Sequence, residues 1–342
     1  MFHNLKSFII KKTLEKRKSE NTFDCKTADE YVLPDNAAPV LNNTHAFIAH
    51  GADGEALSCR LTHRSACSEI WFSYVKNDNK YLHNSLICSD NLPLKIEKRG
   101  VEWRVQFDGE VEGDNGEILK AVFDGYFVSD CHAVDFCSDM PTEKLASAFA
   151  YEGFFKNRLS KIRENRSTHY EQLGKLFGRL TIDGSEITLD MPSVRQHSFG
   201  ELDVGSFNNH FRLLALKGKS QLSFLLLSHK KLTALELGNF ISAEQKMFSV
   251  IAADYDRAII SRGSAPAYCE LSLLLDDGRR VSVKAKTRSV SERPLSEGLY
   301  TVYECAADFE IDGEKYSGSI ELGFNREPTR WFNGRKLGEL KL

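Results

Sequence analysis

The residues Glu102-Trp103-Arg104-Val105-Gln106-Phe107-Asp108-Gly109-Glu110-Val111 alternate along an almost unbroken run. An extended backbone sends successive side chains to opposite faces, so a period of two describes a strand with one buried face and one wetted face. Trp103, Val105, Phe107 and Val111 share the apolar face, and the pattern recurs at Leu57, Cys59 and Leu61 and at Val281, Val283 and Ala285. Between such runs stand Asp53-Gly54, Asn115-Gly116, Asp183-Gly184, Asp277-Gly278 and Asp312-Gly313. These dipeptides suit the positive φ angles of tight type I′ turns. Short alternating strands joined this way build closed or sandwiched antiparallel sheets, not a parallel α/β core.

At 342 residues the chain exceeds the size at which one core stops growing, so two domains are expected. One segment breaks the β pattern: Pro141-Thr142-Glu143 opens a run of helix formers through Ile162, with Thr142 as its N-cap. The expected order is a basic helical extension over 1–30, a β-barrel-like domain over 31–140 and a helical linker over 141–165. A second β-barrel-like domain over 166–326 and a tail over 327–342 follow. The extension sets Phe2, Leu5, Phe8, Ile9 and Leu14 against Lys6, Lys11, Lys12, Lys16, Arg17 and Lys18, a basic amphipathic helix. A helix packed on its own domain or frayed in solvent is the expected reading, with weak contact with a membrane surface or an organellar presequence as the alternatives.

A net charge of −3 supplies no basic excess to neutralise phosphates, which argues against nucleic acid as a partner. No apolar run approaches the ~20 residues that span a bilayer. The eight cysteines form no CxxC pair and read as reduced thiols in a cytosol-like compartment, hence a cytoplasmic location. No GxSxG, HExxH or GxGxxG motif occurs, and Gly218-Lys219-Ser220 has Leu213 where a phosphate-binding loop needs glycine. The spacing of Cys131, His132, Asp135 and Cys137 matches no common zinc pattern. Neither a metal nor a cofactor is expected.

Chemistry concentrates at Arg195-Gln196-His197-Ser198-Phe199-Gly200. Alternation places Arg195 and His197 on one face and Gln196 and Ser198 on the other. In a pocket, the imidazole could protonate an alkene or hold a carbonyl, oriented by Glu321 or Glu171. At a barrel corner the same groups would satisfy one another, as buried polar groups must.

Tyr170-Glu171-Gln172, Gly174, Gly178, Asp183-Gly184, the Arg195 to Gly200 motif and Gly318-x-x-Glu321-x-Gly323-Phe324 resemble the second half of two-domain lipocalin-like proteins. That family takes in hydroxyneurosporene synthase, a carotenoid hydratase, and the AttH-like proteins. Arg60-Leu61-Thr62-His63-Arg64, Glu69-Ile70-Trp71 and Trp103 to Phe107 are similar to a region preceding phosphoenolpyruvate-synthase-like domains in some animal proteins. One departure stands out: the family commonly has Asp where this chain has Gln196, and acidic Glu201-Leu202-Asp203 follows Gly200. The resemblance implies two lipocalin-like domains that bind a small, largely apolar molecule: a terpenoid, polyene or lipid-like ligand. His197 and Glu321 would then be catalytic, with Arg195, Ser198, Phe199, Glu171, Tyr170 and Trp71 on the ligand. The alternatives are a cofactor-free hydratase, isomerase or cyclase, and a non-catalytic interaction module whose protein partner the sequence does not name.

Overall fold

A computed structural model describes residues 2–20, 41–136, 139–150, 168–201, 207–229, 235–256, 259, 263–295, 300–326, 331–332 and 335–336, apart from positions 52, 65 and 78. The chain forms two compact units. The first takes residues 22–136 and 166–202; the second takes 1–21, 137–165 and 203–342.

Ten strands make the first unit: β1 (Leu41–His50), β2 (Ala56–His63), β3 (Ser68–Lys76), β4 (Asn79–Ile87), β5 (Leu94–Arg99), β6 (Glu102–Gly113), β7 (Ile118–Val128), β8 (Ala133–Asp135), β9 (Thr168–Ile182) and β10 (Ser185–Glu201). Their order is β10-β1-β2-β3-β4-β6-β7-β9-β8, with β5 alongside β6. Because β10 also pairs with β9, the path returns on itself in a barrel-like arrangement. The alternation of β6 is realised as read: Trp103, Val105 and Phe107 are buried and Asp108 and Glu110 are exposed. The inner face is packed with aromatic rings, among them Phe47, Phe72, Phe107, Phe123 and Phe127. Phe72 stacks on Phe107 at 4.2 Å.

The second unit contains α1 (Phe2–Glu20), α2 (Thr142–Ala150) and eight strands: β11 (Phe207–Lys217), β12 (Ser220–His229), β13 (Leu235–Ile241), β14 (Met247–Tyr255), β15 (Tyr268–Leu275), β16 (Arg280–Leu295), β17 (Tyr300–Ile311) and β18 (Glu314–Asn325). These eight form a closed barrel around Phe211, Leu213, Phe224, Leu271, Val283, Phe309 and Ile320. A short hairpin of β19 (Trp331–Phe332) and β20 (Arg335–Lys336) follows. At Asp183-Gly184 and Asp312-Gly313 both turn residues have positive φ, as a type I′ turn demands. At Asp53-Gly54, Asn115-Gly116 and Asp277-Gly278 only the glycine does.

Three expectations change. The segment 166–202 does not open the second domain; β9 and β10 complete the first sheet, with β10 pairing with β1 from Leu41↔Glu201 to Ala49↔Ser193. Hairpin signals disclose that β9 and β10 pair with each other, but not which distant edges they fill. The expected linker helix is described only as α2, which belongs to the second unit; its remainder to Ile162 lies outside the described residues. Not all cysteines are reduced: Cys67 and Cys88, at the open end of the β3–β4 hairpin, form a disulfide. Cys59, Cys131, Cys269 and Cys305 are buried without a bridge, and burial pushes the thiols of Cys269 and Cys305 up to about 12. Since disulfides are rare in a reducing cytosol, the cysteines no longer support a cytosol-like compartment.

Candidate functional site

His197 of β10 faces Tyr170 on β9 and His45 on β1, so three strands meet on the inner face of the first unit. The Tyr170 hydroxyl lies 2.6 Å from His197 Nδ1. Asn43 Oδ1, an acceptor, lies 2.7 Å from His197 Nε2. This pairing puts the ring proton on Nε2, with the tyrosine donating to Nδ1. His45 stacks on the ring at 4.0 Å. Arg195 donates to the Tyr170 hydroxyl at 3.5 Å and to Gln172 Oε1 at 3.2 Å. Its guanidinium also lies 4.6 Å from the centre of the Trp103 ring. Gln172 in turn donates to the Cys131 carbonyl at 2.9 Å. With Arg195 and His197 only 1% exposed and Tyr170 fully buried, this is a closed hydrogen-bonded chain at one end of an aromatic core.

The other face of the same strands holds what the sequence tied to His197. Gln196 donates to Glu171 at 3.2 Å, and His169 Nε2 lies 3.3 Å from the same carboxylate oxygen. Glu171 therefore orients Gln196 and His169 rather than His197. Ser198 shares that face and is half-buried. Trp71 is buried opposite Arg60, while its neighbours Ile70 and Phe72 point to the inner core, so it does not join Arg195 and His197. Phe199 sits opposite Asn43 in the ladder, and its side chain lies outside the described residues.

Glu321 belongs to the second unit, where its partner is a histidine that the sequence reading missed. His210 of β11 has the Tyr300 hydroxyl 2.7 Å from Nδ1 and Glu321 Oε1 2.8 Å from Nε2. Arg293 lies 3.9 Å from the second oxygen of Glu321 and 3.3 Å from Glu304. Phe211, Leu213 and Ala215 point into the barrel, so His210, between buried Asn209 and Phe211, projects from its outer face. Room comes from Gly323 directly across β18: a Cβ there would sit 2.2 Å from His210 Cε1 and 2.6 Å from a Tyr300 ring carbon. That glycine, two residues after Glu321, was the available signal. The side chains of His210 and Glu321 remain 15% and 17% exposed. The Tyr300 hydroxyl is pushed above the usual tyrosine range by burial first and by the Glu321 charge second, with a hydrogen bond to the His210 backbone opposing. It therefore stays protonated and donates. Donor, imidazole and carboxylate in a row can pass a proton along the chain, and the carboxylate can stabilise the imidazolium. Among the described residues no three His, Cys, Asp or Glu side chains converge as metal ligands would.

Two antiparallel units of this kind define a lipocalin-like β protein, and solved structures agree on the fold. An AttH-like protein from Nitrosomonas europaea superposes with a TM-score of 0.51 at 10% identity, over 85% of this chain and 98% of that one. Kievitone hydratase from Nectria haematococca superposes with a TM-score of 0.53 at 11% identity, over 82% and 87%. No curated protein matches the sequence. Residues 29–326 match the family described as "Domain of unknown function (DUF7064)", and the chain belongs to that family. The resemblance to AttH-like proteins read from the sequence thus holds at the level of fold.

Proposed function

We propose that the protein binds a small, largely apolar molecule, of terpenoid, polyene or lipid-like character, and that Tyr300, His210 and Glu321 handle a proton on it. The reaction class is that of a cofactor-free hydratase, isomerase or cyclase. In hydration, a proton passed along the Tyr300–His210–Glu321 chain adds to an alkene carbon. Water adds to the resulting cation and returns a proton to the base, so the net change is one water gained. The carrying observation is that His210 is bracketed by a hydroxyl donor and a carboxylate at 2.7 and 2.8 Å while the pair stays partly open. A fold shared with kievitone hydratase supports the class of chemistry without identifying a substrate.

The test pairs native mass spectrometry of the co-purified ligand with deuterium incorporation into that ligand from heavy water. Glu321→Gln and His210→Gln should retain the ligand and slow incorporation about 10²–10⁴-fold, the usual weight of general acid–base catalysis. Ligand retained with no incorporation in the unaltered protein leaves a binding protein. No ligand at all leaves the interaction module.

A further inference from the structure

We propose that α1 docks the protein on the surface of an anionic lipid bilayer. The helix lies against its own unit through Ile10 and Leu14, one turn apart and both buried. It is fastened to α2 by an ion pair of Lys11 with Glu143 and by His3 Nε2, 3.2 Å from the Ser147 carbonyl. This fixes which face is left over. Leu5, Phe8, Lys12 and Lys16 are all exposed and follow one another at spacings of three and four, a single stripe along the helix.

The composition of the stripe selects its occupant. Leu5 is 56% and Phe8 58% exposed at one end of it, and the lysines occupy the other. Leu5 and Phe8 stand one turn apart on this face, and an interfacial helix buries such groups at the acyl boundary. Residues 2–20 carry six Lys and Arg against Glu15 and Glu20, in a chain whose net charge is −3, so positive charge is concentrated on this element. Glu15 is itself engaged by Lys11 and Lys12. Basic residues behind an apolar tip complement acidic headgroups above acyl chains. A second copy of the same basic stripe would repel it, and nucleic acid gives Leu5 and Phe8 nothing to enter.

The experiment is co-sedimentation of the full chain with vesicles of phosphatidylcholine, with and without about 30% phosphatidylserine. Partitioning should be at least about tenfold higher on the anionic vesicles and should collapse between ~0.1 M and ~1 M salt, as the screening length falls from ~10 to ~3 Å. The doubles Leu5→Ser/Phe8→Ser and Lys12→Gln/Lys16→Gln should each lower it about tenfold; the first should leave the melting temperature unchanged because both side chains are solvent-facing, and the second should lower it only slightly through the exposed Lys12–Glu15 pair. Equal partitioning on the two vesicle types, or none, overturns the proposal. So does anionic binding that both doubles leave intact. A dimer in solution that dissociates in Leu5→Ser/Phe8→Ser also overturns it, making a second copy the occupant.

Discussion

In the first unit a tyrosine hydroxyl meets Nδ1 of His197 and an asparagine oxygen meets Nε2. In the second a tyrosine hydroxyl meets Nδ1 of His210 and a glutamate oxygen meets Nε2. The chains differ in one acceptor and in which side of the barrel they occupy. A neutral amide holds the His197 ring in one tautomer, and the ring is sealed inside. A carboxylate faces the His210 ring instead, and that pair remains partly open to solvent. On the proposed function, the same tyrosine–histidine couple is a structural tie in one place and acid–base machinery in the other.

The largest effect should come from the tie. Trp103→Ala removes an inner-face ring and the platform of Arg195 together, and should cost about 3–5 kcal/mol by denaturant unfolding. A loss within about 0.5 kcal/mol, typical of surface sites, would detach the His197 chain from the stability of its barrel. Next, His197→Gln should cost about 1–3 kcal/mol, since a glutamine cannot satisfy both Tyr170 and Asn43 in their buried positions, while turnover falls only with the folded fraction. His210→Gln should behave the other way round, with turnover falling about 10²–10⁴-fold, far beyond any loss in the folded fraction. If His197→Gln melts normally and abolishes turnover, the two roles are exchanged. The smallest effect concerns alkali. Tyr300 resists ionisation when folded, so above the ordinary tyrosine value of about 10 the unfolded chain releases its proton first and stability falls as pH rises. Tyr300→Phe should flatten that slope above about pH 10; an unchanged slope would place the effect on Tyr74, whose hydroxyl is likewise raised by burial.

Sequence alternation disclosed strands and faces well wherever one face is wet, as at Trp103, Val105 and Phe107. It failed at Trp71, because Ile70, Trp71, Phe72, Tyr74 and Val75 are all buried and no period marks the inner side. The alternation of Arg195 and His197 against Gln196 and Ser198 was legible, but that Glu171 would take the Gln196 side follows from the β9–β10 register, which spacing does not reveal. Glu321 was visible as a residue and not as a pair, since His210 approaches it from 111 residues away. The disulfide was within reach: Cys67 and Cys88 lie on either side of Asn77, about equally far from the β3–β4 hairpin tip, and a search limited to CxxC passes over that symmetry.

The chain leaves the first unit at residue 136, visits the second, and returns at 166 to supply β9 and β10. A nascent chain therefore cannot close the first barrel when β7 emerges. Asn43 waits for His197, 154 residues later, which at ~5–20 residues per second is on the order of 10 s of exposure. Throughout that interval β1 presents an open edge, joined by β7 once it has emerged, the kind of surface that recruits stray strands. Loop closure over so long a separation also makes the pairing slow in a refolding experiment. Dividing the gene at the helix after Pro141 would strand β9 and β10 on the wrong fragment, so the two barrels are two bodies of structure but one unit of biosynthesis.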